Sequence, residues 1–204
     1  MTITNGLCTL AQLKVALRVA DTTDDTALEL AINAASRQIE KHCGRNFTQD
    51  ATVSARVFAA ERCFRVEVDD ISTATGLIVK TGVVPGTFDT TWTTADYQLE
   101  PLNGRRNAQA WPYTSLAAIS GLMFPTGPVA LVQVTAKWGW AAIPDDVTQA
   151  AVFQAEYLFK TNDVPLGATS FNETGILRLS STTKPLHPVA ANLLKEYTRT
   201  GAMV

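Results

Sequence analysis

The sequence predicts an α+β protein: a small helical bundle with an inserted antiparallel β region and a C-terminal helix on a long tether. Three observations predict it. Apolar residues recur at helical spacing near both ends, the middle is rich in Val, Thr and aromatic residues with short alternating runs, and a long polar stretch precedes the last apolar cluster. With 204 residues, the chain is long enough to bury ~70% of its surface without metal or disulfide staples. On this reading residues 1–160 form one domain, with helices over 10–18, 25–43 and 146–160 and a β region over 52–140, and residues 161–204 form an extended segment ending in a docking helix.

Each element has its own warrant. Thr9-x-x-Gln12 has the form of a capping box, and Leu10, Leu13 and Leu17 follow at helical spacing. Asp24 and Asp25 are placed to cap a second helix whose Leu28, Ala31, Ile32, Ala35, Ile39 and Cys43 share one face, with Gly44 as its stop. Strands are predicted at Arg65–Val68, Leu77–Lys80 and Val129–Val134, and Asn103-Gly104 predicts a type I′ hairpin turn. Pro144-Asp-Asp146 opens a third helix with Val147, Ala150, Ala151, Ala155, Leu158 and Phe159 on its apolar face. The polar stretch from Thr161 to Lys184 exceeds the ~12 to 15 residues of an ordinary connection, so it is expected to be mobile or held by a partner. Pro188 suits the first turn of a last helix over 188–199, with Val189, Leu193, Leu194 and Tyr197 on one side and Gly201 at its end.

Composition narrows the function. Charged residues make up 18%, against about 25% in ordinary domains, so something other than water is expected to cover part of the surface. A net charge of -2 and a pI of about 5.7 lack the electrostatic footprint of a general nucleic-acid binder. Cys8, Cys43 and Cys63 are an odd set at no metal-like spacing, which predicts reduced thiols and an intracellular chain. The first residues lack the basic and apolar regions of a secretory signal, and Gly121, Pro125, Gly127 and Pro128 interrupt the most apolar stretch, so a soluble protein with no membrane partner is expected.

The order of motifs carries a resemblance. A short helix is followed by an Asp-Asp-started helix ending in Ile39-Glu-Lys-His-Cys-Gly-Arg-Asn-Phe47. A strand region then closes at Trp138-Gly-Trp140, a Pro-Asp-Asp-Val helix carries Glu156-Tyr-Leu-Phe-Lys160, and a Leu-Leu-Lys-Glu-Tyr helix ends the chain. Over nearly its whole length this resembles the head-tail connector (adaptor) proteins of tailed bacteriophages. The resemblance implies a non-enzymatic subunit that forms a ring, a dodecamer, beneath the portal, joins capsid to tail and lets DNA pass through the lumen. The implied partners are the portal protein, copies of itself and a tail-side connector or stopper protein. The implied location is the virion neck, after assembly in the host cytoplasm. Family members use C-terminal segments to grip the portal, so Val189, Leu193, Leu194 and Tyr197 are expected to dock on the portal or a neighbouring subunit and not on their own core. The Thr-rich middle from Ser72 to Thr94 is longer than in compact members.

Other conspicuous residues have plainer readings. His42 beside Cys43 suggests a catalytic or metal pair, but neighbours on a helix point about 100° apart and no spaced partners complete a site. No catalytic residue, metal or cofactor is therefore expected. Asp24-Asp25 and Asp145-Asp146 read as helix caps before acid-base pairs. Trp138 and Trp140 fall on one side of a strand and read as core before a stacking platform. Arg105 and Arg106 stand at the expected hairpin tip, where contact with DNA or a subunit and plain solvation are equally expected. Two other function classes remain. A DNA-binding packaging-initiation (small terminase-like) protein fits the helix-turn-helix order of the first two helices, but Asp24, Asp25 and Glu29 would repel phosphates at the reading end. A small hydrolytic enzyme lacks a phosphate loop, a nucleophile elbow and a metal motif.

Overall fold

The computed structural model describes residues 2–161 and 186–199 in full, and the backbone of 168–171 and 177–179. The chain divides into two compact units: Met1–Arg45 together with Ile143–Val204, and Asn46–Ala142, which the sequence inserts between them. The first is helical, with α1 (Leu10–Leu17), α2 (Asp25–Cys43), α3 (Asp145–Thr161) and α4 (Pro188–Leu193). The second carries β1 (Ser54–Phe58), β2 (Arg65–Thr81), β3 (Thr90–Trp92), β4 (Tyr97–Glu100), β5 (Arg105–Arg106), β6 (Gln109–Ala110), β7 (Tyr113–Ala118) and β8 (Val132–Trp138). The α+β expectation holds, with the antiparallel region inserted as anticipated.

In the helical unit α1 begins with the expected capping box. Thr9 Oγ1 accepts from Gln12 N at 3.2 Å, and Thr9 N donates to Gln12 Oε1 at 2.8 Å, which satisfies amides that the first turn leaves free. α2 differs at its start. Asp24 has φ -99° and ψ 7° and makes no capping hydrogen bond, because that backbone is not the extended one from which a cap side chain reaches forward. Asp25, one residue on, ion-pairs with Lys14 of α1. The apolar face of α2 is as expected: Leu28, Ala31, Ile32, Ala35, Ile39 and Cys43 are all buried. Ser36 shares that face. It donates to Ile32 O at 2.7 Å and accepts from Leu7 N at 3.0 Å, so its burial leaves no unpaired hydroxyl.

The terminal helix is shorter than expected and packs on its own unit. Helical structure stops at Leu193, and Lys195 N and Tyr197 N then bond three residues back, to Asn192 O and Leu194 O, which tightens the chain into turns. The proposed end at Gly201 and most of the polar stretch lie outside the described residues. Within that stretch β9 (Ala168–Phe171) and β10 (Leu177–Leu179) pair antiparallel.

In the β unit the main sheet is antiparallel throughout, in the order β1-β8-β2-β7-β4, with β3 also on β2. The two expected runs at 65–68 and 77–80 are parts of one strand, β2, which continues through the polar Ser72–Gly76 with shifts of register against β8. The last expected strand starts later, at Val132, and alternates cleanly: Val132, Val134, Ala136 and Trp138 are buried while the residues between them are half-buried. These side chains form one core with Val66, Val68, Ile71, Val79, Leu116 and Phe124. Trp92 stacks on Phe124 at 4.4 Å and donates to Thr81 Oγ1 at 2.9 Å.

Gly139 ends β8 and separates the two tryptophans. Its φ is 93°, and a Cβ there would meet Thr48 O at 2.0 Å, so only glycine fits. The two rings therefore do not line one strand face. Trp138 donates to Ser54 O at 2.9 Å beside Phe58, whereas Trp140 donates to Asp70 Oδ2 at 3.0 Å and packs against Phe47 and Trp111. Both are core residues, as the plainer reading held.

Candidate assembly surface

The described residues assemble no cluster of three His, Cys, Asp or Glu side chains placed to hold a metal ion. His42 is exposed and Cys43 fully buried, so the pair does not converge. Burial pushes the Cys43 thiol up to about 11, which keeps it a thiol near neutral pH and a poor nucleophile. Asp145 and Asp146 lie in the first turn of α3, where their charge suits the helix dipole, and Asp146 Oδ2 accepts from Tyr197 Oη at 3.3 Å.

Residues 187–199 are fastened into the helical unit at several points. Gln154 of α3 is 1% exposed. Its Nε2 donates to Gln38 Oε1 of α2 at 2.7 Å, and its Oε1 accepts from His187 N at the start of α4 at 2.8 Å. One buried carboxamide thus ties three helices, since it offers a donor and an acceptor at once. His187 packs against Phe153 and Tyr157 of α3. Arg45 Nε donates to Tyr197 O at 2.8 Å, and Arg199 N donates to Cys43 O at 3.0 Å, so residues 197–199 lie against the end of α2. Burial, reinforced by the Asp146 carboxylate, pushes the Tyr197 hydroxyl up to about 12.

This arrangement divides the four residues expected to dock. Leu194 and Tyr197 are buried in their own unit, Leu193 is half-buried and Val189 is exposed. The expectation that this helix leaves its own core is corrected by that placement. Burying Leu194 and Tyr197 stabilises the fold by about 1.5 to 3 kcal/mol each before ordering costs, and the Gln154 bonds direct the chain there.

Arg105 and Arg106 are exposed and form β5, which pairs with β6 across Asn107 and Ala108. Asn107 and Ala108 both have positive φ, 49° and 65°, as a two-residue type I′ turn requires. The hairpin turn is therefore there. Asn103 and Gly104 also have positive φ, 59° and 58°, but they bend the chain after β4, with Gly104 N on Pro101 O at 3.1 Å. The Arg106 guanidinium lies 5.0 Å from the centre of the Trp111 ring, within reach of a cation–π contact. Arg105 donates to Ala108 O at 3.4 Å.

One feature escaped the sequence reading. Val83 and Val84, between β2 and β3, are 86% and 57% exposed. Val84-Pro-Gly-Thr87 is a recognisable turn signature, and apolar residues at such a tip were the available signal.

Residues 8–73 match the family of phage gp6-like head-tail connector proteins. The connector match covers α1, α2, β1 and the first half of β2, so it includes the first two of the helices whose motifs carried the resemblance. No curated protein matches the chain. Among solved structures, a chain from the neck of an empty GTA particle computed with C6 symmetry aligns at a TM-score of 0.55 and 16% identity, over 98% of this chain and 93% of that one. A chain from the neck of a native GTA particle computed with C12 symmetry aligns at 0.54 and 16%, with the same coverage. A chain from the virion of a native gene transfer agent particle aligns at 0.54 and 17%, again over 98% and 93%. Beyond the connector match, these alignments establish a shared fold. No helix among the described residues is long and apolar enough to cross a membrane.

Proposed function

We propose that this chain is a structural head-tail connector subunit, which forms a ring beneath a phage portal, joins capsid to tail and leaves a lumen for DNA. The observation that carries the reading is the connector-family match over α1 and α2, on a chain whose fold follows particle-neck subunits almost from end to end. The low charged fraction supports it, since a subunit in a ring keeps much of its surface against other protein. A slightly negative chain also suits a DNA passage, because a lumen that neutralised phosphates would hold the duplex.

In this reading the partners are copies of the chain, the portal and a tail-side connector or stopper protein, and the place of action is the virion neck. The stretch from 161 to 204 supplies the portal contact. Val189 and Leu193 offer the accessible apolar side of α4, while Leu194 and Tyr197 anchor that helix to its unit. Arg105 and Arg106 contact a neighbouring subunit or the passing DNA. The mechanism is assembly: the portal presents a ring of equivalent sites, and filling them brings neighbouring connectors close enough to close the circle.

Sedimentation of the full chain with and without portal tests this, followed by electron microscopy of the mixture. The expected result is a monomeric or weakly associated chain alone and a ring on the portal. A compact permanent dimer indifferent to portal overturns the reading.

A further inference from the structure

The loop between β2 and β3 is a rigid apolar tip. Thr87 N donates to Val84 O at 3.1 Å, and Thr87 Oγ1 reaches the same oxygen at 3.0 Å. Gly86 has φ 85°, the value that the second central position of a Pro-Gly type II turn demands. Gly82 N donates to Leu131 O at 3.0 Å, and a Cβ on Gly82 would overlap Thr87 O at 1.7 Å, so the base of the loop is closed as tightly as its tip. The turn is thus held in shape while Val83 and Val84 face solvent, and the whole segment Gly82–Thr87 carries no charge. Such a tip loses little conformational freedom on binding.

The helical unit carries a surface of matching chemistry. A groove of about 410 Å³ runs between α1 and α3, lined by Ala11, Gln12, Val15 and Ala16 on one side and Thr148, Gln149 and Val152 on the other. None of these residues is charged, and Val15 is 79% exposed. A closed cyclic ring is built from heterologous contacts, in which one patch of a subunit meets a different patch of the next. A chain that carries an uncharged knob and an uncharged groove in separate places has the two patches such a contact needs.

We propose that in the ring the Val83-Val84 tip of one subunit seats in the α1/α3 groove of the next copy. The contact rests on the ring reading above and adds the surfaces that close it. Its neutral character matches tip to groove, since a charged partner would lose its hydration there without gaining a counter-charge.

Cysteine cross-linking of the assembled ring tests the contact. Val84→Cys and Val15→Cys are made in separate full-length chains, with the wild-type chain, which keeps its own Cys8, Cys43 and Cys63, as the oxidation control. Both positions are exposed, so both variants are expected to fold. On the portal, mixed V84C and V15C chains are expected to give a covalent dimer absent from the control, and the double variant a ladder up to the full ring. Val84→Asp is expected to weaken ring closure at least tenfold with its melting temperature unchanged. If rings form but V84C and V15C do not cross-link, the contact is wrong and the ring reading stands. Cross-linking of V84C to the portal assigns the tip elsewhere and overturns the proposal. If the wild-type chain forms no ring, both readings fail.

Discussion

Gln154 donates to Gln38 at 2.7 Å from a site 1% exposed to solvent, and this contact between α3 and α2 continues through Gln154 Oε1 to His187 N. The arrangement makes the position of α4 depend on one side chain in the middle of α3. Gln154→Leu keeps the volume but leaves the Gln38 oxygen and the His187 amide without their partner. The expected loss is about 2 to 6 kcal/mol, from two groups at roughly 1 to 3 kcal/mol each. Urea unfolding measures it, and a loss below ~0.5 kcal/mol would show that the pairing is not structural.

Truncation after Lys184 removes Ala190, Leu194 and Tyr197, all buried in the helical unit. Their absence uncovers apolar surface on α3 and the end of α2. The shortened chain is therefore expected to melt well below the full chain, and calorimetry decides the point. An unchanged melting temperature would mean that α4 contributes nothing to its own core.

Gly139→Ala sets a Cβ 2.0 Å from Thr48 O at a φ of 93°. The clash is with backbone, so no side chain can swing away. A loss of about 3 kcal/mol or more is expected from steric and backbone strain together. Chemical denaturation checks it, and a change within ±0.5 kcal/mol would contradict the close approach.

Tyr197 gives an alkaline dependence with a definite sign. Its hydroxyl is raised from an ordinary 10 to about 12 by burial and by Asp146, so the folded state holds the proton more tightly than the unfolded chain. The resulting stability is fully present below pH ~10 and is lost as pH rises toward ~12. Cys8 and Cys43, raised by burial from 9 to about 11, begin the same fall one unit lower. Denaturation between pH 8 and 12 is expected to show the decline, and Tyr197→Phe to make it shallower. A Tyr197→Phe variant with an undiminished decline would refute this origin.

Much of the helical unit was legible because its signals are local. The capping box at Thr9 needs only Gln12, and the buried face of α2 follows from a period of 3.6 residues. The alternation of β8 is a local period too, and it appeared, displaced by three residues from the expected start. Asp24 reads as a cap by type, yet the backbone that caps require is absent, and residue type alone carries no φ and ψ. The joining of two short runs into β2 was hidden by Ser72–Gly76, where the register against β8 breaks and only Thr73 has a paired partner, Lys137.

The sequence by itself determined the fold class, the helices, the inserted antiparallel region and the resemblance to connector proteins, because each of these rests on periodicity or on the order of motifs along the chain. Tertiary structure alone decided where α4 lies, which of two positive-φ pairs makes the Arg105–Arg106 hairpin, and that Trp138 and Trp140 part at Gly139. The first and last of those outcomes depend on residues far apart in sequence: Gln154 with Gln38 and His187, Arg45 with Tyr197, Gly139 with Thr48. A long polar tether leaves the destination of its helix open in the sequence, and what selects it is the buried surface and the paired polar groups at the place where the helix lands.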